Sequence, residues 1–373
     1  MTPKQILRLG FPKMKKEKGE KRDFLPEFFK RFLRDDLSIY LEKGYGSQLG
    51  FSEEDYLIAN SRIIFSEKDE VFKQQLIVVI RSPEFDDIEK MLPGSGLLAM
   101  LHYETRPYLL DLLKKKQIHA FSLDSIVDDN NERLVVSYEM TALGGVHTAF
   151  SKLNELHKEK MILSNKPIKV SIIGMGKLGV HAGRISFGQF NEYELGKKGV
   201  NGISVQFLER EIMEYPSSVK EILEQTDLLV DATKRPDPTR IIIPNDLLGS
   251  LPKHAIVLDL TADPYEKRVD GYQVKAIEGI PHGSLDQYIF DVEDSAWNDI
   301  PSVVQSQNRR LTISCNAWPG VMAKECMNVY AEKMWPFIKL IGEQGFQMNI
   351  NSDSSNERAL KRATIDFFEA KNK

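Results

Sequence analysis

The feature that most constrains this chain is a glycine-rich turn between an apolar strand and a helical segment. Residues 169–173, Lys-Val-Ser-Ile-Ile, are predicted to form a strand, and the sequence that follows directly is Gly174-Met175-Gly176-Lys177-Leu178-Gly179. In this pattern the first glycine permits a tight turn, the second lets the backbone approach a diphosphate, and the third lets helix and strand pack closely. The helix start adds unpaired N–H groups and the positive end of its dipole. The turn therefore predicts an α/β domain that binds a dinucleotide, with a purely structural turn as the alternative.

The second strand of this domain is expected to end in an acid that binds the adenosine ribose. The run 203–208 ends at Glu209, which lies 35 positions after Gly174. This spacing exceeds the usual one of roughly 20, and an insertion around 187–202 would account for the difference. A carboxylate repels a 2′-phosphate, so Glu209 favours NAD over NADP. Arg210 keeps NADP as an alternative, and a plain strand-end carboxylate remains the alternative for Glu209 itself.

Apolar runs and helical patterns alternate along most of the chain. Strands are predicted at 6–11, 76–80, 96–101, 118–123, 168–173, 203–208, 228–230, 255–260 and 311–314. Helices are predicted at 26–44, 106–116, 138–160 and 321–342. The continuous apolar runs are typical of strands that are covered on both faces of a parallel sheet. The alternation predicts an α/β protein with doubly wound sheets.

Composition narrows the class of protein further. The 373 residues suffice for about two domains with filled cores. A net charge of −4 argues against a general nucleic-acid binder. The two cysteines, Cys315 and Cys326, permit neither a disulfide framework nor a four-thiolate metal site, and they favour a reducing, cytoplasmic location. No apolar run reaches the roughly 20 residues of a membrane helix, so no membrane partner is expected.

Short motifs in a fixed order give the chain a resemblance to a known family. They lie at 10–13, 20–26, 44–46, 50–56, 79–83, 101–102, 174–179, 259–263 and 315–320. Together they resemble the alanine dehydrogenase and pyridine nucleotide transhydrogenase family, which includes the lysine-forming saccharopine dehydrogenases. The resemblance implies two Rossmann-like domains with a cleft between them. It assigns 1–140 and 316–373 to a substrate domain and 141–315 to a nucleotide domain.

The same resemblance implies a chemistry and its participants. It implies a homo-oligomer that binds NAD(H) and transfers hydride to or from the carbon bearing the amino group of an amino acid or imine. The expected substrate is a small amino acid or 2-oxo acid. Arg22 resembles the arginine that binds the substrate carboxylate, His102 the catalytic histidine, and Asp263 the active-site aspartate. Weaker matches place Thr141 and Asn316 beside the cofactor.

Each of these residues also has a structural alternative. The alternative for Arg22 is a solvated arginine in a charged loop. The alternative for His102 is a hydrogen-bonded core histidine, and the alternative for Asp263 is a structural cap at the end of a strand. A histidine suits acid–base chemistry because its pKa lies near neutral pH.

Arg81 departs from the family, which has a lysine at this position, 21 residues before His102. Arginine stays protonated, so it can bind a carboxylate or carbonyl oxygen but cannot readily exchange a proton. Its alternative is a surface arginine that caps a strand. The departure leaves three functions open: an amino-acid dehydrogenase, a reductive condensation of an amino acid with a 2-oxo acid, or a nucleotide-binding protein without dehydrogenase activity.

Overall fold

The computed structural model describes residues 8–14, 17–158, 166–235, 237–261, 263–268 and 271–371. The chain divides into two units, each built on its own sheet. Unit 1 comprises Met1–Lys16, Glu20–Ser137 and Ala323–Lys373, and unit 2 comprises Glu17–Gly19 and Tyr138–Met322. Residues 17–19, 138–140 and 316–322, which the sequence assigns to the substrate domain, fall in unit 2.

The strands and helices, numbered in chain order, are β1 (Arg8–Phe11), α1 (Pro26–Phe29), β2 (Ser38–Glu42), α2 (Glu53–Ala59), β3 (Ile63–Ser66), α3 (Lys68–Phe72), β4 (Leu76–Arg81), α4 (Phe85–Glu89), β5 (Gly96–Met100), α5 (Pro107–Lys115), β6 (His119–Ser122), α6 (Tyr138–Lys158), β7 (Ile168–Ile173), α7 (Lys177–Glu192), β8 (Ile203–Leu208), α8 (Pro216–Leu223), β9 (Leu228–Asp231), α9 (Asn245–Leu248), β10 (Ile256–Asp259), β11 (Glu266–Arg268), β12 (Gly271–Gln273), β13 (Ile289–Phe290), β14 (Leu311–Ser314), α10 (Ala323–Gln344), α11 (Ser355–Arg362) and α12 (Ile365–Lys371).

Unit 1 contains a parallel sheet with the strand order β3-β2-β1-β4-β5-β6. This is the order of a doubly wound nucleotide-binding sheet. The order reverses between β1 and β4, and open sheets bind ligands at the carboxyl ends of the strands at such a point. Arg81 is the last residue of β4, so it lies at this reversal, where the topology predicts a ligand.

Unit 2 contains a second sheet with the order β13-β14-β10-β9-β7-β8. All neighbouring pairs are parallel except β13 with β14. The order reverses between β7 and β9, which end at Ile173 and Asp231. The glycine turn leaves the sheet at this reversal, immediately before α7. The predicted α/β class with two Rossmann-like sheets is confirmed.

The predicted helix over 26–44 is wrong. Only its first four residues form α1, and the chain then enters β2. Every second residue from 37 to 41 is a buried aliphatic residue, namely Leu37, Ile39 and Leu41. A period of two is that of a strand rather than a helix. Leu33, which the helical pattern assigns to the buried face, is 80% exposed.

The other predicted strands and helices are present, with ends that differ by two residues or fewer where the structure describes them. The strands β2, β3, β11, β12 and β13 were not predicted, because they are short or lack a continuous apolar run. Residues 6–7, the end of the predicted helix at 159–160 and Ala262 of the 259–263 motif lie outside the described residues. In the part of the chain that the structure describes, no helix is both long and apolar enough to span a membrane.

Candidate functional site

Each glycine of the turn in unit 2 has its own steric reason. Gly174 has a φ of 98°, and a Cβ there would lie 2.8 Å from the carbonyl oxygen of Ala232. A Cβ on Gly179 would lie 2.0 Å from the carbonyl oxygen of Gly174. A Cβ on Gly176 would meet no atom within 4 Å, so this side of the turn is open. The backbone is closed against the sheet and open on one side, which leaves room for a ligand.

The amino terminus of α7 provides donors for an anion. Gly176 caps this 16-residue helix and has no side chain that could accept from its first N–H groups. Such groups and the helix dipole suit a phosphate. The residues of the turn therefore fit the diphosphate of a dinucleotide.

A cavity of about 570 Å³ opens beside this turn. Its lining consists of Ile173, Gly174, Met175, Leu208, Glu209, Arg210, Met213, Thr233, Lys234, Arg235, Asp237, Arg240 and Ile242. The structure thus brings three predicted cofactor residues together, namely Gly174, Met175 and Glu209. Cations outnumber acids in this lining, which favours an anionic ligand.

The other predicted cofactor residues lie elsewhere in unit 2. Lys177, Leu178 and Gly179 form the first turn of α7. Thr141 is a half-buried residue of α6, and Asn316 follows β14 with its backbone N–H donating to the Gly283 carbonyl at 3.0 Å. Among the described residues, neither these five nor Gly176 belong to the lining of the cavity.

Asp263, the predicted active-site aspartate, is held by an arginine that the sequence did not single out. Arg235 Nη2 donates to Asp263 Oδ2 at 2.6 Å. The Arg235 side chain is 4% exposed, whereas that of Asp263 is 33% exposed. A buried guanidinium therefore fixes one carboxylate oxygen of Asp263. The sequence signal for Arg235 was its position in the short charged segment shortly after β9, beside Lys234.

Unit 2 also contains a buried network of charged side chains at the carboxyl ends of β9, β10 and β14. Lys275 Nζ contacts Asp259 Oδ2 at 2.6 Å, and Ser314 Oγ donates to the same oxygen at 3.0 Å. Burial alone would raise the pKa of Asp259, but Lys275 holds it at about 2. Burial, together with the negative charge of Asp259, raises the pKa of Asp231 to about 7. The pKa values of these two neighbouring carboxyl groups are therefore shifted in opposite directions, that of Asp231 upwards and that of Asp259 downwards.

Unit 1 brings Arg22 and Arg81 together around a third residue, Glu20. Arg22 Nε and Nη2 donate to Glu20 Oε1 and Oε2 at 2.9 and 2.5 Å. Arg81 Nη1 reaches Glu20 Oε2 at 3.4 Å. Burial alone would raise the pKa of Glu20, but hydrogen bonds and charge from Arg22, with the charge of Arg81, keep it below its usual value. Arg22 is buried, so its solvated alternative does not hold.

His102 lies at the carboxyl end of β5 with a φ of 50°. Its side chain is 45% exposed, which excludes the alternative of a core histidine. His102 Nδ1 lies 3.5 Å from Asp124 Oδ2, while Asp124 Oδ1 accepts from Ser122 Oγ at 2.7 Å. Asp124 was missed by sequence reasoning, although its position just after β6 was a signal, because β6 is the neighbour of β5.

Comparisons with known proteins give a consistent picture. Residues 11–143 match the family described as alanine dehydrogenase/PNT, N-terminal domain. The alanine dehydrogenase of Methanococcus maripaludis is 21% identical over 312 residues, which cover 79% of this chain and 82% of that protein. The alanine dehydrogenase of Bacillus subtilis is 21% identical over 273 residues, which cover 68% and 70%.

Two solved structures share the fold. An L-alanine dehydrogenase superposes with a TM-score of 0.71 at 17% identity, covering 96% of this chain and 94% of that one. A transhydrogenase from Sinorhizobium meliloti superposes with a TM-score of 0.60 at 13% identity, covering 90% and 95%.

Proposed function

We propose, on the premise that this chain is a relative of the alanine dehydrogenase/PNT family, that it is an NAD(H)-dependent oxidoreductase acting on the CH–NH group of an amino acid or imine. When bound, the nicotinamide supplies the hydride donor or acceptor, while the protein orients the reactants and moves protons. NADP(H) is the alternative cofactor. The substrate is a small amino acid, imine or 2-oxo acid.

The observation that carries this proposal is the glycine turn beside a cavity of about 570 Å³ that Glu209 also lines. Open space at Gly176 and the helix start at Lys177 suit a diphosphate, and the Glu209 carboxylate suits a ribose diol. A plain structural turn requires neither the open side nor the acid.

In unit 1 the proposed roles follow from charge and position. Arg22 and Arg81 bind a carboxylate or carbonyl oxygen, for which the planar guanidinium is well suited. His102 exchanges the proton, because arginine cannot. Asp124 lies beside His102 Nδ1, so we assign the exchange to Nε2. In unit 2, Asp263 balances positive charge that develops on the substrate.

The test is NADH consumption with a panel of 2-oxo acids, with and without ammonia or amino acids. In the His102→Gln variant we expect kcat to fall by at least 100-fold, the range of general acid–base catalysis, with the Kd for NADH within twofold of the parent value. His254→Gln is the matched control, since His254 also contacts an aspartate, Asp227 at 2.8 Å, and is expected to keep full activity. An unchanged kcat in His102→Gln would remove His102 from the mechanism.

The co-substrate distinguishes the two reactions. A requirement for ammonia identifies an amino-acid dehydrogenase, whereas a requirement for an amino acid identifies the reductive condensation.

A second candidate is a nucleotide-binding protein without dehydrogenase activity. The contacts of Glu20 with both Arg22 and Arg81 favour it, because an internal carboxylate already takes the position next to these two cations. Tight NADH binding without turnover across the whole panel would support this candidate, and robust turnover would exclude it.

A further inference from the structure

Arg235 is a buried arginine that both lines the cavity of unit 2 and holds Asp263. Its Nη2 donates to Asp263 Oδ2 and to the Val274 carbonyl, each at 2.6 Å. Its Nη1 donates to the Arg240 carbonyl at 2.6 Å. The three acceptors lie on three separate segments of unit 2. One guanidinium therefore fixes the position of Asp263 relative to the wall of the cavity.

The same guanidinium has a donor without a protein acceptor. Arg235 Nε is buried, and within the described ranges no hydrogen-bond partner contacts it. Buried N–H groups are almost always paired, so an unpaired one marks a position at which an acceptor is missing. Phosphate oxygens are the acceptors that an arginine fork matches best, and Arg235 shares the cavity wall with Gly174 of the turn.

Asp263 is held at one oxygen but is not enclosed. Its side chain remains one-third exposed while Oδ2 is bound to Arg235. An anion in the cavity and the Asp263 carboxylate would therefore draw on the same cation. A phosphate at Nε and Asp263 at Nη2 would share the charge of one guanidinium. A ligand that binds Arg235 should therefore weaken its hold on Asp263, and the reverse should also apply, because binding linkage is reciprocal.

We propose that Arg235 is a positioning residue that couples filling of the cavity by a nucleotide phosphate to the orientation of Asp263. The inference rests on the proposed function for the nature of the ligand and for the assignment of Asp263 to the reaction. The coupling itself follows from the shared guanidinium. It predicts that Asp263 opposes nucleotide binding, and does so only through Arg235.

A double-mutant cycle read out by NADH binding tests this coupling without any turnover. Fluorescence titration gives the Kd for NADH of the parent protein, Asp263→Asn, Arg235→Ala and the double variant. We expect Asp263→Asn to bind NADH two- to fivefold more tightly, because Arg235 is released toward the phosphate. Arg235→Ala should bind NADH about tenfold more weakly, and in that background Asp263→Asn should bring no gain.

A matched control and a second variant keep the test decisive. Arg310 also donates to backbone carbonyls of unit 2, those of Leu251 and Pro252, but it does not line the cavity. Arg310→Ala should lower thermal stability and leave the Kd for NADH unchanged. If Arg235→Ala does not fold, Arg235→Gln takes its place, since it removes the charge and keeps a donor.

The outcomes separate the two proposals. An Arg235 variant that binds NADH like the parent protein would overturn the coupling and leave the proposed function in place. An equal effect of Asp263→Asn with and without Arg235 would also overturn the coupling. A parent protein that binds neither NADH nor NADPH would overturn the proposed function, and the coupling with it.

Discussion

Replacing Asp231 by asparagine should stabilise unit 2, and the gain should depend on pH in a defined way. Asp231 is fully buried beneath the glycine turn, and its Oδ1 accepts from the Thr233 N–H at 3.0 Å. Within the described part of the chain, Asp231 Oδ2 has no hydrogen-bond partner. Asparagine keeps the acceptor, adds a donor at the position of Oδ2, and carries no charge next to Asp259.

The size of the effect follows from the pKa. Burial and the charge of Asp259 raise the pKa of Asp231 from 3.8 to about 7, a difference that corresponds to about 4 kcal/mol. Between these two values the folded protein binds more protons than the unfolded chain. The contribution of Asp231 to stability is therefore complete below pH 3.8 and is lost as the pH rises to about 7. The gain from asparagine should be small at pH 4 and approach at most about 4 kcal/mol above pH 7.

Urea unfolding at pH 4.5, 6 and 8 measures this gain. A Trp335→Phe background leaves Trp297 and Trp318, both in unit 2, as the fluorescent reporters. Asp299→Asn, at an exposed aspartate of the same unit, is the control and should show no pH-dependent gain. A gain that is equal at pH 4.5 and pH 8, or a loss of stability at pH 8, would refute the reasoning.

Two further substitutions test the two candidate sites separately. Gly179→Ala places a Cβ 2.0 Å from the Gly174 carbonyl oxygen, so NADH affinity should fall at least tenfold. Gly342→Ala is the control, because a Cβ there would meet no atom within 4 Å, and it should leave the affinity for NADH unchanged. If Gly179→Ala binds NADH as tightly as the parent protein in a titration, the proposed role of the turn is wrong. Glu20→Gln removes the carboxylate that contacts Arg22 and Arg81. It should increase the affinity for a 2-oxo acid several-fold in calorimetry, whereas weaker binding would show that Glu20 supports the arginines rather than competing for them.

Sequence patterns predicted the buried central strands well, because those strands are covered on both faces. β4 contains the continuous apolar run 76–80, and β7 and β10 are mostly apolar, so the bounds of all three follow closely from the sequence. The segment 26–44 failed because its phenylalanines suggest a helical face while its leucines follow a strand period. Phe28 and Phe29 pack edge-on against Phe11, so tertiary contacts bury them without a long helix.

For the candidate site, the sequence predicted individual residues but not their partners. Arg22, His102 and Asp263 each have a charged neighbour in the structure, and none of these neighbours was predicted as a functional residue. Glu20 was visible only as the first residue of the 20–26 motif, and Arg235 only as one cation among several. Pairing depends on which strand ends lie side by side, and a single sequence without internal repeats carries little information on strand order.

The pairing around Glu20 bears on the replacement of the family lysine by Arg81. Glu20 Oε2 contacts Arg22 at 2.5 Å and Arg81 at 3.4 Å, so one carboxylate serves two guanidinium groups. The three side chains together carry a charge of +1. This charge does not vary near neutral pH, because arginine stays protonated and the pKa of Glu20 lies below its usual value. The carboxylate of one bound substrate would balance this charge of +1. None of the three side chains can take up or release the proton that oxidation of an amine requires. In the proposed reaction, proton exchange therefore falls to His102 or to water.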